Sequence, residues 1–242
     1  MDAIRIENLT KEYADVGAGD DLNLSVRKGE LLSLLGVNGA GKTTTIKMLS
    51  GLTKPTRGDA FLNGKSICKD AAAVKSMIAV SPQETAVAPG LTVRENLELI
   101  CGIYGFSRES REEKIKELTA LLGLESVLGK KAGKLSGGWQ RRLSIAMALI
   151  SQPQILFLDE PTLGLDVIAR SELWDLIRTL KGRVTIILTT HYMEEAENLS
   201  DRIAIMKNGK LLVCGTAEKL KELSGTDNFE QAFIRIVKGV ET

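Results

Sequence analysis

At 242 residues the chain can hold one large domain with a real core, and its formal net charge of +1 provides no global field to draw it to nucleic acid or an anionic membrane. Cys68, Cys101 and Cys214 are odd in number and follow no metal-ligand spacing, which points to reduced thiols in a cytosolic protein rather than a disulfide framework. No apolar run reaches the roughly 18 residues of a spanning helix and the first five residues have no signal-peptide pattern, so at a membrane another chain would have to supply the spanning part.

Ile4, Ile6 and Leu9 alternate with polar residues and predict a strand, after which residues 15–21 read as a turn. Tyr13 at the strand end is either an ordinary half-buried tyrosine or a flat face for an adenine ring. Leu22, Leu24 and Val26 alternate again, and Lys28-Gly29 turns into Leu31-Leu32-Ser33-Leu34-Leu35, a run expected as a buried strand. Next comes Gly36-Val37-Asn38-Gly39-Ala40-Gly41-Lys42-Thr43, which matches G-x-x-x-x-G-K-[ST], the phosphate-cradling loop. Thr44 carries a helix to Ser50, with Ile46 and Leu49 inward and Gly51 as its stop. The chemistry needs these residues. The glycines allow close backbone approach, and the amides converge on phosphate at a helix N-terminus. Lys42 reaches the β- and γ-phosphates, and the Thr43 hydroxyl is placed to ligate Mg²⁺.

Ala60-Phe61-Leu62 followed by Asn63-Gly64 is a hairpin signal, and residues 77–80 read as a short buried strand that Pro82 ends before Gln83. From Leu91 to Leu122 the pattern turns helical. Thr92 and Glu95 have capping-box spacing, Val93, Leu97, Ile100 and Tyr104 share a face, and Ile115, Leu118 and Leu122 point inward further on. This reads as a helical insertion in an α/β domain. Leu135-Ser136-Gly137-Gly138 opens a helix to about Ile150, with Ser136 as N-cap. The two glycines make either a second anion-binding amide cluster or a plain cap. Ile155-Leu156-Phe157-Leu158 is an apolar strand ending in Asp159-Glu160, the end where open α/β sheets bind ligands. Asp159 supplies a second group on the Mg²⁺ side, and Glu160 can polarise an attacking water. Residues 184–188 form another strand, leading to His191, the chain's one histidine, either a structural residue or a γ-phosphate contact. Residues 202–206 and 210–213 pair through Asn208-Gly209, and Leu220 and Leu223 close a short helix. A last helix starts near Asp227, with Glu230 as reciprocal cap partner. Its stripe of Phe229, Ala232, Phe233, Ile236, Val237 and Val240 lies opposite Gln231, Arg235 and Lys238, and must dock on its own core or on a second protomer.

Taken together, the phosphate loop, Gln83, the L-S-G-G at residues 135–138, the strand ending in Asp159-Glu160, Asp166 and His191 stand in the order of the ATP-binding cassette (ABC) of ABC transporters, which the chain resembles over essentially its whole length. The resemblance implies one cassette over 1–242: a RecA-like core with a β subdomain over 1–90 and 151–242, a helical insertion over about 91–150 and a C-terminal helix over about 227–240. It also implies roles. ATP and Mg²⁺ are the cofactors. Lys42, Thr43, Thr44 and the rest of the loop bind nucleotide, Thr43, Gln83 and Asp159 form the metal side, Glu160 is the catalytic base, and His191 senses the γ-phosphate. Tyr13 stacks on adenine. Ser136, Gly137, Gly138 and Asp166 belong to the nucleotide site as well, Ser136 and Gly138 contacting ATP held by the opposite subunit of a head-to-tail dimer. Trp139, directly after the signature, departs from the family pattern and bears on how the helical insertion packs.

The segments 161–166, 191–197 and 229–235 resemble those of type-2 exporter cassettes, drug-resistance and sodium-efflux systems among them. The implied function is ATP hydrolysis that drives export through a separate transmembrane permease, with a second identical or sister cassette. The implied location is the cytoplasmic face of the membrane, with no nucleic-acid partner. The alternative is a soluble cassette ATPase acting on ribosomes or DNA. Ribosomal cassettes usually carry two copies per chain and chromosomal ones long coiled coils, and neither is seen here.

Overall fold

The computed structural model describes residues 1–13 and 16–239, with the side chains of all of these except 13 and 16–19. In chain order its first elements are β1 (Asp2–Tyr13), β2 (Val16–Arg27), β3 (Leu31–Leu35), α1 (Lys42–Leu49), β4 (Arg57–Leu62), β5 (Lys65–Ser66), α2 (Ala71–Met77) and β6 (Ile78–Ser81). The helices α3 (Val93–Ile103), α4 (Arg108–Leu122) and α5 (Gly137–Leu149) follow, then β7 (Ile155–Asp159), α6 (Val167–Leu180), β8 (Thr185–Thr190) and α7 (Met193–Leu199). The chain closes with β9 (Arg202–Lys207), β10 (Lys210–Gly215), α8 (Ala217–Ser224) and α9 (Phe229–Lys238).

The strands form two sheets. A four-stranded antiparallel sheet has the order β2-β1-β4-β5, and a six-stranded mixed sheet has the order β10-β9-β3-β8-β7-β6. In the second, β9, β3, β8, β7 and β6 run parallel and β10 turns back as a hairpin. This is the expected α/β class. Alternation along the parallel strands explains the layering. Leu32, Leu34, Ile155, Phe157 and Ile187 pack toward the antiparallel sheet and α1, whereas Leu31, Leu156, Leu158, Ile186 and Leu188 pack toward α5 and α6. Among the described residues no helix is long and apolar enough to cross a membrane, and all three cysteines are free.

Several local expectations change. The run from Val16 to Asp21 is strand, because it pairs with β1 across register shifts. The capping box at Thr92 and Glu95 is present, but Cys101 is the inward residue of the third turn of α3 and Tyr104 is 55% exposed. Ser136 occupies the N-cap of α5, yet its side chain makes no capping bond. Asn228, not Asp227, caps α9, its side chain accepting from the Gln231 amide. Val240 lies outside the described residues. The helices α2, α6 and α7 have no counterpart in the sequence reading. Trp139 packs half-buried against the helical core, with the Arg142 guanidinium 4.7 Å from its ring centre.

The stripe of α9 docks on its own protomer. Phe229 and Phe233 join Leu35, Ala196, Ile203, Ile205 and Leu220 in one buried cluster. A helix this short is marginal in water, so this contact holds it. Phe233→Ala should therefore cost about 3–5 kcal/mol of stability. The lowered melting temperature should be the same at every protein concentration, since no second chain is needed for the contact. A concentration-dependent loss would move the stripe to an interface.

Candidate functional site

Parallel register brings the site together. Leu35 pairs with Thr190, Asp159 with Thr189 and Ser81 with Leu158, so the loops after β3, β8, β7 and β6 leave the sheet side by side at one edge. There they enclose a cleft of about 570 Å³ lined by Asn38, Gly39, Ala40, Gly41, Lys42, Thr43, Thr44, Gln83, Glu160, Leu163 and His191. Of these only Leu163 was not expected.

The loop between β3 and α1 has the backbone the motif demands. Gly41 precedes α1 with φ +100°, a left-handed conformation open to glycine. A Cβ at Gly36 would come within 2.5 Å of the Met206 carbonyl, so no side chain fits there. Lys42 is 5% exposed and donates to the carbonyls of Gly36 (2.8 Å) and Val37 (3.2 Å). Burial pushes its pKa below the ordinary lysine value, and the Glu160 and Asp159 carboxylates only partly offset this. Glu160 stands between two partners, with Oε1 3.7 Å from Lys42 Nζ and 3.3 Å from His191 Nδ1. Behind the cleft, Thr43 Oγ1 donates to Asp159 Oδ1 at 3.1 Å.

The residues suit a bound nucleotide with its metal. Free amides at the start of α1, a glycine cradle and a poorly solvated lysine match phosphate. Thr43 and Asp159 offer hard oxygens, the donor type of Mg²⁺, and phosphate oxygens would complete the set. Ser136, Gly137, Gly138 and Asp166 do not line this cleft. Ser136, Gly137 and Asp166 are exposed, and Asp166 instead caps α6 by accepting from the Ala169 amide at 2.9 Å. Added Cβ atoms show that the signature abuts the start of α6 and the loop before it: at Gly137 one would touch Leu165, and at Gly138 one would touch Ala169. The Tyr13 side chain, and with it the adenine-stacking expectation, lies outside the described residues.

Arg141 and Glu195 are buried charges that the sequence did not reveal. Arg141 on α5, 5% exposed, donates to the carbonyls of Pro82 and Gln83, each at 2.6 Å, and so ties the signature helix to the loop that carries Gln83. Glu195 on α7 is fully buried and accepts from the Trp174 indole at 3.1 Å. Burial raises its pKa above the usual carboxylate value of 4.5, against the pull of Thr190, Thr162, Trp174 and Arg170 nearby. The folded protein thus holds this proton longer than the unfolded chain, so stability falls as pH rises from 4.5 through the raised value. Glu195→Gln keeps an acceptor for Trp174 and removes the ionisation. It should melt higher than wild type at about pH 8, with the gap closing toward about pH 4.

A family model described as "ABC transporter" matches residues 19–163. The chain belongs to the ABC transporter family. This cassette is 42% identical over 226 residues to the human "Phospholipid-transporting ATPase ABCA3", covering 92% of this chain and 13% of that protein. It is 39% identical over 241 residues to the Escherichia coli "Probable multidrug ABC transporter ATP-binding protein YbhF", covering 97% of this chain and 41% of that one. The cassette therefore spans less than half the length of these curated relatives. A solved ATP-binding subunit of an ABC transporter superposes with a TM-score of 0.84 at 28% identity, over 97% of this chain and 99% of its own. A dimeric ATP-binding cassette in a post-hydrolysis state, bound to ADP and Pi, superposes with a TM-score of 0.78 at 28% identity, over 88% and 98%. The cassette fold is that of the phosphate-loop nucleoside triphosphatases, with the antiparallel sheet and the helical insertion of the ABC type.

Proposed function

We propose that this cassette binds and hydrolyses ATP with Mg²⁺ and powers export through a separate transmembrane partner. The observation that carries the reading is the convergence of Lys42, Glu160 and His191 on one cleft floored by the glycine loop. In it Glu160 is the base that activates water, Lys42 clamps the β- and γ-phosphates, and His191 contacts the γ-phosphate. Thr43, Asp159 and Gln83 would hold Mg²⁺, which would supply positive charge beside the phosphates.

The dimer part of the reading rests on what the cleft lacks. Ser136, Gly137 and Gly138 lie outside the cleft of their own chain, with Ser136 and Gly137 open to solvent, so a second copy in head-to-tail arrangement is the way to bring them to ATP. A solved relative that is itself dimeric supports the pairing of two cassettes. The permease part rests on a groove of about 420 Å³ between the helical insertion and β6, beside Pro82. Leu52, Ile103 and Tyr104 at its rim are 69%, 71% and 55% exposed, an apolar patch of the kind that marks a protein contact. The cassette then works on the cytoplasmic face of the membrane, held there by that partner.

Sedimentation tests the dimer. The Glu160→Gln variant should sediment as a dimer with ATP and as a monomer with ADP. Adding Ser136→Arg should return the ATP form to monomer by setting a bulky cation at the signature. A dimer that persists in the double variant would put the interface elsewhere, and a monomer throughout would favour a sister cassette.

A further inference from the structure

We infer that Thr189, two residues before His191, is a positioning residue for hydrolysis, its single hydroxyl holding both Asp159 and Glu160 in place. The inference rests on the proposed ATPase reading of those two carboxylates. Thr189 lies on β8, directly opposite Asp159 on β7, and has no exposed surface. Its Oγ1 donates to Asp159 Oδ1, the same oxygen that accepts from Thr43. The same Oγ1 accepts from the Glu160 amide at 3.0 Å, and that amide also reaches the Thr189 carbonyl at 3.1 Å.

A hydroxyl has one proton and two lone pairs. Here the proton goes to the carboxylate and a lone pair receives the amide, so one group fixes two successive residues of the β7 end. Both need fixing. Asp159 is aimed at Thr43, where the metal side of the site lies. Glu160 has φ +46°, a left-handed conformation that a residue with a side chain adopts only when its surroundings hold it. That turn sends the Glu160 carboxylate to Lys42 and His191 rather than along the strand. Valine has the shape of threonine without the hydroxyl and suits a buried strand. The position therefore asks for the oxygen, not for the volume.

Thr189→Val, Thr189→Ser and Glu160→Gln are to be compared with wild type in the full chain. Steady-state kcat and KM for ATP are measured, together with hydrogen exchange of the Glu160 amide in the nucleotide-free protein. Losing an outer partner of a catalytic group typically costs about 10–100-fold, so Thr189→Val should lose that much in kcat with KM changed less than about threefold. Thr189→Ser, which keeps the oxygen, should stay within about threefold of wild type in both parameters. The Glu160 amide should be strongly protected in wild type and in Thr189→Ser and should exchange at least about tenfold faster in Thr189→Val. A Thr189→Val enzyme within about twofold of wild-type kcat, or a serine variant as impaired as the valine one, would overturn the inference. An unprotected Glu160 amide in wild type would overturn it as well, whether or not any variant folds. Wild-type turnover in Glu160→Gln is a separate outcome that removes the ATPase reading of Glu160, while the exchange data still report whether Thr189 holds that amide.

Discussion

Glu160→Gln should bind ATP as the wild type does and turn it over roughly 10²–10⁴-fold more slowly, the range ascribed to a positioned general base. Glutamine fills the same space and keeps an oxygen to face Lys42 and His191, which lie 3.7 and 3.3 Å from the carboxylate. What it cannot do is accept a proton from water. The loss should fall on kcat, because the group acts when the water is activated and not when ATP binds. Phosphate release under single turnover, with ATP affinity measured alongside, separates the two. Wild-type-like hydrolysis would send the role of base to another residue.

Lys42→Ala should lose about 10²–10³-fold in turnover, the usual cost of removing one preorganised charge or donor from a dry site, and should also weaken ATP affinity. Only 5% exposed, this ammonium is poorly solvated, which also lowers its pKa, so phosphate oxygens meet a cation with little water around it. The lysine has a second job, since it donates to the Gly36 and Val37 carbonyls and so braces the loop that cradles the phosphates. Alanine loses both contributions and leaves Glu160 without its cation. Turnover within about threefold of wild type corresponds to less than ~1 kcal/mol and would reject the clamp.

The parts of the site legible in the sequence share one property: each is dictated by its own neighbours in the chain. A glycine loop needs glycine wherever it turns left-handed or meets another backbone, as Gly41 and Gly36 do. A strand buried on both faces must be apolar throughout, so β3 and β7 stood out, and with them the lysine and the carboxylates at their ends. The amphipathic stripe of α9 likewise announced a docked helix, although it took the structure to find the surface it docks on.

The sequence by itself thus determined the α/β class, the phosphate loop and the chemistry available at the ends of the strands, because local conformation and alternation are set within a few residues. The tertiary structure alone decided what depends on which strands are neighbours. Thr189 became the partner of Asp159 and Glu160 only because β8 lies beside β7 in parallel register. Arg141 reached the Gln83 loop only because α5 packs across it, and Glu195 met Trp174 only because α7 packs on α6. Tyr104 turned outward because Cys101 took the core position one helical turn before it, leaving the aromatic ring at the rim of a groove that no periodicity could have revealed. A hydrogen bond between residues thirty apart leaves no mark on the spacing of either, since the sheet order that joins them is settled by packing of the whole chain.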